Sequence, residues 1–177
     1  RPGTYGANYS EDLIRELVKM GILLDDSLSA AILTAHQWDS VEPLVLPSNR
    51  EAMQHQLVGN RLLVMNDRFL LAYEAGTGKS KIVVDTASAM IHLEVADRVL
   101  ILTDATVVQA WTENHIPADC FYGYKAIALL GTAERRRKLI QQAIRDDIKF
   151  IVINYDGLKI VVDDLIAHAR RSAGEPA

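Results

Sequence analysis

The apolar run Phe69-Leu70-Leu71-Ala72-Tyr73 stops at Glu74-Ala75-Gly76-Thr77-Gly78-Lys79-Ser80, and a helix-type pattern follows. No other stretch constrains the fold as strongly, because strand, small-residue turn and helix in this order are what a phosphate-binding loop requires. Glycines let the backbone curl until successive N–H groups face a polyphosphate, and the N-terminus of the following helix adds positive partial charge. Lys79 can then reach the outer phosphates, and the Ser80 hydroxyl can ligate magnesium. A plain strand-to-helix turn leaves the adjacent Gly-Lys-Ser unexplained. The expected ligands are a nucleotide's polyphosphate and Mg2+. Glu74, Ala75, Gly76, Thr77, Gly78, Lys79 and Ser80 form the cradle, with Lys79 as the candidate catalytic side chain and Ser80 as the metal ligand.

The pattern around the loop sets the fold class. Strand 69–73 leads to a helix over 79–93 with Ile82, Val83, Thr86, Met90 and Ile91 on its apolar face. Strand Val99–Thr103 leads to a helix holding Val107, Val108 and Trp111, and strand Ala126–Leu130 to a charged helix from Ala133 to Arg145. Strand Phe150–Ile153 leads to a last helix. Repeated strand–helix units with continuous apolar strands predict an α/β domain whose parallel sheet is covered on both faces.

Upstream, Met53, Leu57, Leu62, Leu63 and Met65 predict a helix starting near Glu51. The first 47 residues read as a helical N-terminal extension. One helix begins at an N-cap, Ser10, and ends at Gly21; a second spans Ser27 to His36, and a Pro-containing loop follows. That extension carries no chemistry, and both simple packing and the docking of a protein partner suit it.

Composition narrows the classes. The net charge of −4 rules out a basic nucleic-acid glove, so any strand contact needs a local patch. The one candidate is Arg135-Arg136-Arg137-Lys138, though a run like this is more often a solvated helix face. The single cysteine, Cys120, excludes an internal disulfide or a cysteine-rich zinc site and suits a reducing, intracellular compartment such as cytoplasm, nucleus or a viral replication site. No apolar run approaches the roughly 20 residues of a membrane span, so no membrane partner is expected. Arg1 in place of Met suggests a processed product or a fragment.

The loop has Tyr73 where the general motif has glycine, six positions before the lysine. In this it resembles motif I of superfamily 2 helicases, closest to the Swi/Snf-type translocases and the poxvirus-type DNA-dependent triphosphatases. His55-Gln56-Leu57-Val58-Gly59 resembles that family's Q-motif, in which the Gln56 amide would read adenine's edge. Gln54 is the rival, but only Gln56 has a glycine at the matching offset. Thr103-Asp104-Ala105-Thr106 with Trp111 resembles motif Ia, Gly131-Thr132 the strand-glycine-hydroxyl step, and Asn154-Tyr155-Asp156 the Thr-Tyr-acid element. The resemblance implies a RecA-like P-loop fold over residues 48–177, incomplete at its C-terminus, and ATP-driven movement on nucleic acid, DNA rather than RNA. It also implies strand contacts at Thr103, Thr106, Gly131 and Thr132. Asp104 replaces the family's usual proline, and its carboxylate opposes a phosphate there. Trp111 is read as core.

The family hydrolyses ATP with an Asp-Glu pair on a further strand and with arginines from a second lobe. Val161-Val162-Asp163-Asp164 imitates that pair, but Leu158, Val161, Val162, Leu165, Ile166 and Ala169 recur with helical period. The expectation is therefore a helix there, and a chain that covers most of a first lobe without its carboxylate strand. Such a piece would hold nucleotide without turning it over. A non-catalytic nucleotide-binding scaffold, or another P-loop enzyme, are the other readings.

Overall fold

The computed structural model describes residues 41–66 and 68–172. The two helices expected before residue 40 lie outside that range, and 41–50 form an irregular segment without helix. The elements are α1 (Gln54–Met65), α2 (Lys79–His92), β1 (Val99–Thr103), α3 (Val108–Ala110), α4 (Ile116–Asp119), β2 (Ala126–Ala128), α5 (Ala133–Arg145), β3 (Phe150–Asn154) and α6 (Tyr155–Ser172). The chain is α/β, with a three-stranded parallel sheet in the order β1-β3-β2. Two compact units divide within α2, one ending at Thr86 and one starting at Ala87.

In the second unit β3 is the axis. Phe150, Ile151, Val152 and Ile153 are all buried, as a continuous β-branched and aromatic run must be when both strand faces are covered. Val99 to Thr103 pair in register with Phe150 to Asn154 on one side, and Ala126 to Ala128 with Phe150 to Val152 on the other. The helices α5 and α6 bring Ile140, Ala143 and Val161 onto Leu129, Ile148, Ile151 and Ile153. Each of the Leu, Ile and Val side chains among them contributes about 1.5–3 kcal/mol through its removal from water.

Several expectations need correction. Residues 69–73 form neither strand nor helix. A strand is defined by its ladder, and the ladders of the described residues are those between β1 and β3 and between β2 and β3. Strand β1 is covered on one face only: Ile101 is buried, whereas Leu100 and Leu102, which alternate with it, are 42% and 39% exposed. Strand β2 stops at Ala128 because the Leu130 N–H turns back to Ala128 O (3.1 Å), although Leu129 N–H still reaches Val152 O (2.8 Å).

The expected plain helix around Val107 and Trp111 is a composite. A 3-10 turn (Ala105–Val107) precedes α3, and a π-type turn (Trp111–His115) separates α3 from α4. Pro117 sits at the start of α4 and has no N–H to donate, so the regular ladder cannot run through it. The wide turn takes the Ile116 N–H to Trp111 O, and the α-pattern resumes with Cys120 N–H to Ile116 O (2.9 Å).

Helix α5 has the expected bounds, and α6 includes Val161 to Asp164 as its periodicity requires. Asp163 is exposed, and Asp164 pairs with Arg137 at 2.9 Å, so neither aspartate ends a strand. Among the described residues no helix is long and apolar enough to cross a membrane.

Candidate phosphate-loop site

Helix α1 begins at Gln54 rather than Glu51, and its first turn is tied by its own glutamine: Gln56 Oε1 accepts the Met53 N–H at 3.0 Å. Three residues on, Gly59 packs against Ile82 of α2. A Cβ at Gly59 would stand 3.0 Å from Ile82 Cδ1 and 3.1 Å from Cγ2. The missing side chain therefore sets how closely the two helices approach. This gives the glycine of the Gln-x-x-Gly spacing a packing reason independent of any ligand.

Between the helices, residues 74–78 turn tightly. Gly76 and Gly78 have φ of 82° and 81°, a region that L-residues with a Cβ disfavour. Thr77 Oγ1 donates to Glu74 O at 2.8 Å, closing the turn on itself. The Ile82 N–H bonds to Gly78 O at 3.2 Å, so the ladder of α2 starts inside the loop. Lys79, its first residue, folds back over the turn and donates to Tyr73 O (2.7 Å) and Glu74 O (2.8 Å). An ammonium has three N–H bonds, so a third donor and the full charge remain for an anion. Ser80 follows at the second helical position, partly buried. Ala75 and Gly76 are exposed at the tip of the turn.

The loop is fastened to α1 by three side chains. Gln56 Nε2 donates to Thr77 O at 3.1 Å, and His55 Nε2 lies 2.8 Å from the same oxygen. A carbonyl only accepts, so His55 carries its proton on Nε2. Tyr73 OH donates to His55 O at 3.0 Å, and the two rings meet edge to face at 5.7 Å. Burial pushes the Tyr73 phenol up to about 12. Gln56 is 5% exposed; its amide keeps one N–H and one lone pair beyond those spent on Thr77 and Met53, the donor–acceptor pair that adenine's edge needs.

Behind the loop α2 is not amphipathic in the expected way. Val83 and Met90 are only partly buried, whereas Lys81 and Asp85 are buried outright. These two form an ion pair one turn apart, and Lys81 also donates to Ser48 Oγ, which anchors the segment before α1. Thr86 reaches Asn60 Oδ1 of α1 at 3.3 Å. Sequence reasoning missed this polar contact. Its one visible signal was a Lys and an Asp four residues apart inside an otherwise apolar helix.

The four candidate nucleic-acid residues share the carboxyl edge of the sheet. Thr103 ends β1 beside Asn154 of β3, and Thr106 follows in the 3-10 turn. Its hydroxyl and N–H both donate to Asp104 Oδ1, at 2.8 and 2.9 Å. Asp104 is thus an N-cap, and the bonds from Thr106 hold its carboxyl below the usual range. Beyond β2, Gly131 takes φ of 99°, and Thr132 caps α5 by accepting the Arg135 N–H at 3.3 Å.

The basic run after Thr132 is no uniform solvated face. Arg136 is buried, and donates to Gly131 O (2.9 Å) and Leu129 O. Arg137 pairs with Asp164 and Lys138 with Glu134. Only Arg135 presents its charge without a carboxylate partner among the described residues. Trp111 is partly buried and stacks edge-on with His115 at 5.2 Å, as a packing residue.

No protein-family model matches the chain, and no curated protein matches it at a significant level.

Proposed function

We propose that this chain is the nucleotide-binding part of a RecA-like first lobe from an ATP-dependent nucleic-acid translocase or helicase of superfamily 2 type. The observation that carries the reading is the loop at 74–80. It has two left-handed glycines, a lysine curled over the turn at the head of a 14-residue helix, and a glutamine from the upstream helix bonded to its backbone. Loop amides and the helix N-terminus supply a cradle for the phosphates of ATP. Lys79 supplies the mobile charge, Ser80 the oxygen for Mg2+, and Gln56 the base contact. In this reading hydrolysis needs an Asp-Glu pair and second-lobe arginines from elsewhere in the parent protein, because transition-state charge on the phosphoryl group must be stabilised. Thr103, Thr106, Gly131 and Thr132 would meet the phosphates of the tracked strand, DNA before RNA.

One observation favours a second reading, a nucleotide-binding scaffold that does not hydrolyse. Among the described residues, the acidic pair that imitates a catalytic box, Asp163-Asp164, is on α6, with Asp164 committed to Arg137.

Calorimetry on the parent protein tests the site. Lys79→Ala should weaken ATP binding roughly tenfold or more, the worth of lost charge-assisted hydrogen bonds. Unchanged affinity in a folded variant would sink the phosphate-loop assignment. Steady-state ATPase with and without single- and double-stranded DNA and RNA then separates the two readings. Stimulation at low salt that fades as salt rises is expected of the translocase. A rate that no nucleic acid changes leaves the scaffold.

A further inference from the structure

We propose that His55 and Tyr73 form a brace that sets the Thr77–Gly78 peptide plane, and so orients a backbone donor of the loop toward the polyphosphate tail of a nucleotide. The inference rests on the nucleotide-site reading above and adds two positioning residues to it.

Thr77 O is the pivot. It accepts from two side chains of α1, His55 Nε2 (2.8 Å) and Gln56 Nε2 (3.1 Å), which fills both lone pairs of one carbonyl. The peptide bonds of the described chain are trans, and in a trans peptide the next N–H points opposite to the C=O. Drawing Thr77 O toward α1 therefore turns the Gly78 N–H away from α1. Only glycine permits this arrangement. The backbone has φ of 81°, and a Cβ at Gly78 would collide with the Gln56 amide nitrogen.

Tyr73 closes the circuit. Its hydroxyl donates to His55 O at 3.0 Å, and its ring packs on the imidazole, so His55 is held both by its backbone and by its ring. The carbonyl of the same residue accepts Lys79 Nζ at 2.7 Å. One residue thus links the helix that carries the hooks, through its hydroxyl, to the lysine at the head of α2, through its carbonyl. A glycine at position 73 could supply the carbonyl but neither the hydroxyl nor the ring. The departure from the general motif is what makes the brace.

The brace acts on the phosphate tail and not on the base, and this separates it from Gln56. Calorimetry with Mg2+ on the parent protein should compare ATP, inorganic tripolyphosphate and adenosine. His55→Ala should weaken ATP and tripolyphosphate by the same factor, about fivefold to tenfold for one lost hydrogen bond, and leave adenosine unchanged. His55→Gln, which returns an N–H donor of similar reach, should restore most of the loss. Tyr73→Phe keeps the ring and should cost about threefold, with no added loss on top of His55→Ala if it acts through His55. Circular dichroism establishes that each variant is folded. Folded His55→Ala and Tyr73→Phe variants with wild-type tripolyphosphate affinity overturn the brace, as does a loss confined to ATP. If Lys79→Ala abolishes tripolyphosphate binding while both brace variants leave it intact, the brace alone fails. If the wild type binds neither anion and Lys79→Ala changes nothing, the nucleotide reading fails with it.

Discussion

The unit before Ala87 and the unit after it are held together by different means. Of nineteen buried apolar side chains among the described residues, only Leu62, Ile82 and Val84 precede Ala87. Of eight buried polar or charged ones, five do: Gln56, Asn60, Lys81, Asp85 and Thr86. The sheet unit is fixed by non-directional burial around β3, which tolerates little movement because packed cores are dense. The loop unit is fixed by directional bonds, most of them to backbone carbonyls. Such bonds can be exchanged for bonds to a ligand at little net cost, since one acceptor replaces another. On the function proposed above, which requires the loop to grip and release an anion, the second way is the better one.

The comparison breaks most visibly under substitutions that remove one anchor from each unit. Lys81→Ala leaves Asp85 charged, buried and without its ammonium, and should cost about 3–5 kcal/mol. Phe150→Ala empties the buried start of β3 and should cost a similar ~3–5 kcal/mol. Urea unfolding measures both. The distinguishing result is rescue. Replacing Lys81 and Asp85 together by Met and Leu should recover most of the loss, because a buried ion pair exchanged for apolar groups is often neutral or better. Failure of that double replacement would mean that the pair does more than satisfy itself.

How far these two units could be read from sequence follows the same division. The sheet unit was legible: α5 has the expected bounds, the central strand matches to within a residue, and Val161 to Asp164 are helical as their period required. Apolar periodicity reports burial, and burial is what organises that unit. Around the loop, residue types announced the turn, but the bonds did not show. Nothing in the order of residues says that Lys81 and Asp85 are buried together, or that His55 and Gln56 share one carbonyl. Strand 69–73 failed because residue type alone does not supply the ladder that defines a strand. Arg136 failed for a related reason: beside Arg135 and Arg137 it looked like part of a charged surface, yet two carbonyls at the end of β2 draw it inward.

A second, smaller effect sharpens the comparison inside the sheet unit. Glycine within a helix normally costs about 1 kcal/mol relative to alanine. At Gly157 of α6 the sign should reverse, because a Cβ there lands on Arg136 Nη1 and 2.6 Å from Asn154 Oδ1. Gly157→Ala should destabilise by about 1–3 kcal/mol as an overpacked site does. In an Arg136→Ala background the cost should shrink but not vanish, because the contact with Asn154 Oδ1 remains. Thermal unfolding of the two single variants and the double reads out the difference, and a stabilising Gly157→Ala in the native background would refute the close contact.

The smallest effect is confined to Tyr73. Its phenol titrates near 10.0 in the unfolded chain and at about 12 in the folded one. Between those values the folded state holds the extra proton, so its contribution to stability is complete below pH 10 and is lost as pH rises toward 12. Ultraviolet titration should show one phenolate appearing near 12 that is missing in Tyr73→Phe. A Tyr73 phenol that is not raised would mean that its ring is not buried beside His55 as described.

The half-covered face of β1 has a practical consequence. Leu100 and Leu102 point away from the buried side, and the outer edge of the same strand has no ladder neighbour among the described residues. An open edge bearing apolar side chains is a template on which like segments from other molecules can add. In concentrated preparations this chain should clump through β1 well before its helices unfold. Lysine at position 100 or 102, which charges that face without touching the Ile101 side, is the change to make when a well-behaved sample is wanted.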